Sequence, residues 1–143
     1  MTMNRAELEA YILETYHAEA DTPWIKYPDN KVFRHSNNRK WFALLMRVPK
    51  SSLGLWRDGA LDVVNLKCDP VLIGSFLMEP GFFPAYHMSK EHWITAALDG
   101  SVPDEKVKTL LDLSYSATAP RKKAPGQAPK ASFREGEPEN PVR

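Results

Sequence analysis

The segment from Pro84 to Trp93 holds the side chains of this chain that are best suited to chemistry. It contains two histidines, His87 and His92, and one lysine, Lys90, directly before a predicted strand. Imidazole and ammonium groups can hold anions, and imidazole can also act as a proton carrier or a metal ligand. The two histidines are five residues apart, which is not the spacing of a helical zinc site.

Catalytic patterns are missing from the sequence. The motifs HExxH, CxxC, GxSxG and the P-loop do not occur, and a pair of Cys68 with a histidine would need a proximity that sequence cannot establish. We therefore expect a protein that is not an enzyme and that needs no cofactor and no metal. A hydrogen-bonded structural role for Tyr86 and His87 at a bend is the alternative interpretation of those two residues.

Positive charge is concentrated in one part of a chain whose overall net charge is only +1. Residues 23–58 carry eight basic and two acidic side chains, a local charge of +6. Arg34, Arg39 and Lys40 bracket one predicted turn, whereas Lys67 and Lys90 fall at predicted strand ends. Such groups could follow the phosphates of a polyanion, although cations at turns are also common because they are solvated.

The periodicity of apolar residues predicts both helices and strands. Asn4 and Glu7 have the spacing of a capping box, and Asp69-Pro70 is typical of a helix start. Asn37 and Asn38 favour a turn because asparagine tolerates left-handed backbone angles. The predicted elements are a helix over 4–19, strands over 31–35, 40–48 and 60–68, a helix over 70–78, an extended segment over 82–88, a strand over 92–98 and a helix from 103. This order indicates an α+β domain.

The chain length of 143 residues predicts one domain over residues 1–118 and a disordered tail over 119–143. The tail holds five of the twelve prolines and one aromatic residue, Phe133, so it cannot bury enough apolar surface to offset the entropy of ordering. The single cysteine excludes an internal disulfide, and the N-terminus has no secretory pattern. We expect a cytoplasmic monomer.

Several motifs in order resemble the MmcQ/YjbR family of small bacterial proteins. They include Lys31-Val32-Phe33-Arg34, Asn65-Leu66-Lys67-Cys68-Asp69-Pro70, the Pro84–Trp93 segment and Leu98-Asp99-Gly100-Ser101-Val102-Pro103-Asp104, and the likeness spans residues 5–118. The resemblance implies a curved antiparallel β-sheet packed by two main helices, as in CyaY and frataxin, with a short third helix. It also implies DNA binding through a double wing of β-hairpins.

DNA binding is therefore the leading functional hypothesis from the sequence. The expected contacts are Arg34, Arg39, Lys40, Lys67, His87, Lys90, His92 and Trp93. Trp93 would stack on a base, although its place at the head of an apolar strand also suits a core residue.

A second hypothesis is a module that binds a small anionic ligand or a protein. Its pocket would be formed by Tyr86, His87, Lys90 and His92, with Trp24 and Trp56 beside them. Converging cations on an exposed surface would favour DNA, and a concave site would favour the ligand.

Overall fold

The structure is a computed structural model that describes residues 3–56 and 58–120. Its elements are α1 (Arg5–Tyr16), β1 (Glu19–Asp21), β2 (Lys31–Arg34), β3 (Trp41–Pro49), a 3₁₀ turn (Lys50–Leu53), β4 (Ala60–Lys67), α2 (Pro70–Phe76), β5 (Phe82–Pro84), β6 (Trp93–Ala97) and α3 (Asp104–Thr118). Within these ranges no helix is long and apolar enough to cross a membrane. The predicted disordered tail lies almost entirely outside the described residues.

Helix α1 begins where the sequence predicts and ends earlier. The Asn4 side chain accepts a hydrogen bond from the Glu7 amide at 2.8 Å, and the Glu7 carboxylate accepts one from the Asn4 amide at 2.9 Å. His17 then takes a left-handed conformation with φ of 52°, which ends the helix. The predicted extension to residue 19 is wrong, because Glu19–Asp21 instead pairs with β2 as strand β1.

The six strands form one antiparallel sheet in the order β1-β2-β3-β4-β6-β5. Helices α1 and α3 contribute Leu8, Ile12 and Leu111 to a core on one face of this sheet. The α+β fold with two main helices and a short third one is thereby confirmed. Strand β5 is shorter than the predicted extended segment over 82–88, because the chain turns away from the sheet after Pro84.

The second face of the sheet is covered by loops instead of helices. A separate core cluster there contains Leu44, Met46 and Val63 from the sheet. Two loops pack on it: residues 22–30, here called the first cover loop, and residues 85–92, the second cover loop. Strand β3 is consequently buried at every position from Trp41 to Met46.

A β-bulge at Phe42 divides strand β3 between the two cores. Phe33 pairs with Ala43 and Arg34 pairs with Trp41, so Phe42 is the extra residue. The bulge also interrupts pairing with β4, and the hydroxyl of Ser114 from α3 fills the gap. That hydroxyl accepts a hydrogen bond from the Lys67 amide at 2.9 Å and donates one to the Phe42 carbonyl at 2.6 Å.

Gly81 lies where the start of β5 closely approaches the turn before α3. Its φ is 89°, and an added Cβ would lie 2.5 Å from Ser101 Oγ and 2.6 Å from Val102 Cγ2. Gly74, inside α2, has no atom within 4 Å of the corresponding position. The two glycines therefore respond differently to the same substitution.

We expect Ser114→Ala to lower the free energy of unfolding by about 1–3 kcal/mol, because it leaves a buried amide and carbonyl without partners. Ser116→Ala, at an exposed position of the same helix, is the matched control and should change stability by less than about 0.5 kcal/mol. Urea denaturation measures both. Equal effects of the two variants would show that the hydroxyl bridge contributes nothing.

We expect Gly81→Ala to destabilise the fold by more than about 1 kcal/mol, because alanine is strained at this φ and its methyl group meets Ser101 and Val102. Gly74→Ala should stabilise it by up to about 1 kcal/mol through helix propensity. The midpoint temperature of thermal unfolding should fall for Gly81→Ala and rise for Gly74→Ala. A neutral Gly81→Ala would contradict the close approach.

Candidate functional site

The antiparallel registers bring most of the predicted cations to one end of the sheet. Arg34 at the end of β2 pairs with Trp41 at the start of β3, and Lys67 at the end of β4 pairs with Trp93 at the start of β6. We call the following set the sheet-end cations: Arg34, Arg39, Lys40, Lys67, Lys90 and His92. The fold thus gathers residues that lie up to 58 positions apart in the sequence.

Two of the sheet-end cations are already neutralised by strand β1. Arg34 donates to the Asp21 carboxylate from Nη2 at 2.9 Å and from Nε at 3.1 Å, and its guanidinium lies 5.5 Å from the centre of the Trp41 ring. Arg39 forms an ion pair with Glu19. Strand β1 was not predicted, and it supplies both carboxylates.

The turn between β2 and β3 is tied to the end of α3. Its buried His35 lies 2.8 Å, through Nε2, from Thr118 Oγ1, and its ring stacks on Tyr115 with centroids 4.1 Å apart. The Asn38 side chain donates to the Thr118 carbonyl at 2.9 Å. The left-handed residue of this turn is Arg39, with φ of 65°, and not an asparagine as the sequence suggested.

The remaining sheet-end cations have different neighbours. The Lys67 ammonium lies 5.9 Å from the centre of the Trp93 ring. Lys90 donates to the Ala85 carbonyl at 2.8 Å, which closes the second cover loop on itself. His92 is exposed beside Glu91, whereas Lys40 has no carboxylate within 4.0 Å among the described side chains.

Trp93 is a core residue. Only 2% of its surface is exposed, so its ring has no face available for a nucleic-acid base. It packs in the loop-side cluster with Met88 and Ala85. Trp93 is therefore a core residue, as one of the two interpretations expected, and we do not assign it a base-stacking role.

A groove of about 580 Å³ opens on the second face of the sheet, between the two cover loops. Strand β3 supplies its floor, with Leu44, Met46 and Val48 each at most 3% exposed. The walls come from the loops and include Trp24 and Tyr27 on one side and Tyr86 and His87 on the other. The apolar strand beneath them gives the groove a rigid base.

The wall formed by Tyr86 is held from below by two buried polar residues. Asn65 Nδ2 donates to the Tyr86 carbonyl at 3.0 Å, and the Tyr86 amide donates to Thr95 Oγ1 at 2.9 Å. The Thr95 hydroxyl in turn donates to Asn65 Oδ1 at 2.5 Å. Asn65 and Thr95 are both fully buried, so the network fixes the second cover loop on the sheet.

His87 adopts a left-handed backbone conformation at the groove, with φ of 61°. Its ring centroid lies 4.0 Å from that of Tyr86. Left-handed angles in residues other than glycine are uncommon and are enriched at functional sites.

Polar groups are sparse around the groove. Arg47 lines it, and Arg47 Nη1 lies 3.3 Å from Asp62 Oδ1, which also lies 3.8 Å from Arg5 Nη1. Asn30 is the other polar lining residue besides Arg47, His87 and the tyrosines. None of the described lining residues is acidic.

The residues that the sequence analysis grouped into a pocket lie only partly together in the fold. Trp24, Tyr86 and His87 line the groove. Lys90 and His92 are not among its described lining residues, and Trp56 is 96% exposed. Tyr27 and Met46 were missed, although the unbroken apolar run of β3 signals a strand that is covered on both faces.

Cys68 and the possible metal ligands were the candidates for nucleophilic and metal chemistry. Cys68 is buried, and burial raises the pKa of its thiol, which keeps it protonated. No group of three or more His, Cys, Asp or Glu side chains within residues 3–56 and 58–120 could hold a metal ion.

The family model described as YjbR matches residues 13–117, and the protein YyaQ of Bacillus subtilis strain 168 is 35% identical over 116 residues. This alignment covers 81% of the chain and 98% of YyaQ. The chain belongs to the YjbR family. YjbR of Escherichia coli K12 is 50% identical over a shorter stretch of 32 residues, which is 22% of the chain and 27% of that protein.

Solved structures share this fold. A crystal structure of a Pseudomonas syringae protein superimposes with a TM-score of 0.80 at 44% identity, covering 82% of this chain and all of that one. A Deinococcus radiodurans protein reaches a TM-score of 0.65 at 23% identity, covering 98% of this chain and 95% of that one, which shows the fold alone. YyaQ and YjbR are both named as uncharacterised proteins, so a function has to be inferred from the site.

His35 should make stability depend on pH. Burial lowers the pKa of its imidazole below the usual 6.5, the charge of Lys40 lowers it further, and a backbone hydrogen bond with Tyr115 offsets part of this effect. The unfolded chain therefore binds a proton at His35 more readily than the folded chain. Stability is complete above about pH 6.5 and falls as the pH decreases through the lower folded-state pKa.

We expect His35→Gln to lose less stability than the wild type when the pH is lowered from about 7.5 to about 5. Urea denaturation at each pH, compared between the two proteins, measures the difference. Parallel pH curves would show that the buried imidazole does not titrate in this range.

Proposed function

We propose that this YjbR-family protein is a binding protein, without enzymatic activity, that takes up a small organic molecule in the groove between its two cover loops. The observation that carries the proposal is the groove itself, with an apolar floor on β3 and aromatic walls. Its volume of about 580 Å³ lies within the range of about 300–1,000 Å³ that is typical of ligand sites.

The second cover loop supports this role because it is fixed before any ligand arrives. The hydrogen bonds from Asn65 and Thr95 hold the backbone at Tyr86, and Lys90 closes the loop onto Ala85. A wall that is already ordered loses little entropy on binding, which favours affinity.

The conformation of His87 gives a second line of support. A left-handed residue other than glycine costs about 1–2 kcal/mol, so the surrounding contacts must hold it in place. That conformation places His87 among the residues that line the groove, beside Tyr86. Strain of this kind occurs at ligand sites as well as at helix ends and turns, where His17 and Arg39 show it, and the groove position of His87 favours the first interpretation.

A library of small organic fragments, monitored by amide NMR spectra of the full chain, tests the proposal. We expect binders whose shift changes cluster on residues 22–30 and 85–92, and whose addition at about 100 times Kd stabilises the fold by about 2.7 kcal/mol. Absence of any fragment bound at the groove would refute it.

Val48→Phe and Val71→Phe provide a matched pair for that experiment. Val48 lies in the groove floor at 2% exposure, whereas Val71 is 81% exposed on α2. We expect the first variant to weaken fragment binding at least tenfold by filling the groove, and the second to leave it unchanged. Thermal unfolding without ligand checks that both variants are folded.

DNA binding is the second candidate function. It is favoured by the clustering of the sheet-end cations at one end of the sheet, especially Lys40 and Lys90, which form no ion pair with any described carboxylate. It is disfavoured by the ion pairs that occupy Arg34 and Arg39. Contacts with phosphates would therefore depend mainly on Lys40 and Lys90.

A double variant, Lys40→Gln with Lys90→Gln, tests DNA binding by fluorescence anisotropy with a short duplex. If both lysines contact phosphates, the slope of log K against log salt should fall in magnitude by about 2. Lys26→Gln with Lys50→Gln removes the same charge from the other end of the sheet and should leave the slope unchanged. Wild-type protein that does not bind duplex DNA at low salt would end this candidate.

A further inference from the structure

We infer that the ligand of the groove is a flat, uncharged aromatic molecule that carries a hydrogen-bonding group at its edge. This inference rests on the proposed ligand-binding function and narrows it to a chemical class. It differs from the anionic ligand that the sequence suggested.

The aromatic character of the ligand follows from the two walls. Each cover loop contributes two rings, Trp24 and Tyr27 from the first and Tyr86 and His87 from the second. Trp24 is braced edge-on against Trp41, with centroids 5.7 Å apart and an interplanar angle of 86°. Tyr27 remains 60% exposed, so much of its ring is available for contact. Rings on both sides favour a planar partner through stacked or edge contacts.

The absence of net charge on the ligand follows from the ion pairs around the groove. No acidic residue is among the described lining residues, so a cationic ligand would lose its hydration without gaining a counter-ion. Arg47 is the cation of the lining, and its guanidinium is engaged with Asp62. Lys90 is not among the described lining residues, and its ammonium donates to the Ala85 carbonyl. An anionic ligand would therefore also be poorly compensated.

The polar edge of the ligand follows from Asn30 and His87, two polar residues that line the groove. Asn30 can donate and accept through its amide, and His87 can do so through its ring. A hydroxyl or amide group at the rim of the ligand could pair with either of them, while the ring system lies over Leu44 and Met46.

Isothermal titration calorimetry with the full chain and four probes of one skeleton tests this class. The probes are 2-naphthol, its saturated analogue decahydro-2-naphthol, the anion 2-naphthoate and the cation 2-naphthylmethylammonium. We expect 2-naphthol to bind at least fivefold more tightly than each of the others. Tighter binding of the saturated alcohol or of either ion would overturn the inference and leave the proposed function standing.

Trp24→Leu and Trp56→Leu provide the matched variants. Trp24→Leu should weaken 2-naphthol binding about two- to tenfold, which corresponds to the free energy of one aromatic contact. Trp56→Leu, at an exposed position outside the groove, should leave the affinity unchanged. Tyr27→Leu, at a more exposed position, gives the same test if Trp24→Leu perturbs the fold. Equal affinity in all variants would overturn the aromatic class. If none of the four probes binds while the fragment library yields binders in the groove, the class fails and the function holds.

Discussion

The central strands of this protein are apolar on both faces, and this constraint determines the rest of the architecture. Strands β3 and β6 are buried along almost their whole length, so water must be excluded from both sides of the sheet. Two helices meet this requirement on one face. On the other face the requirement is met by loops, which cover less completely than helices do. The groove lies where the two loops fail to meet over β3.

The bulge at Phe42 connects the two faces. It lets consecutive residues of one strand, Phe42 and Ala43, enter the helix-side core, while Trp41 and Leu44 enter the loop-side core. The interrupted hydrogen bonds are restored by a single hydroxyl from α3. Packing on the helix side and the position of the groove floor are therefore linked through one strand, because both cores depend on the same register.

Much of this fold is readable from the sequence, and the site is readable only in part. The capping box of α1 and the proline at the start of α2 are local signals, and both hold in the structure. Strand β1 escaped prediction because it has three residues and two of them are exposed. Its register with β2 then decides that Arg34 and Arg39 meet carboxylates, which no local pattern could reveal. The groove likewise joins segments that are far apart in the chain.

Asn65 and Thr95 bind the main chain at Tyr86 and leave its ring uninvolved. Changes of the side chain at residue 86 would therefore leave the course of the second cover loop intact. For the ligand site that we propose, a substitution of the Tyr86 ring would change selectivity without disturbing the loop that carries it. Members of one family could in this way share a scaffold and recognise different compounds.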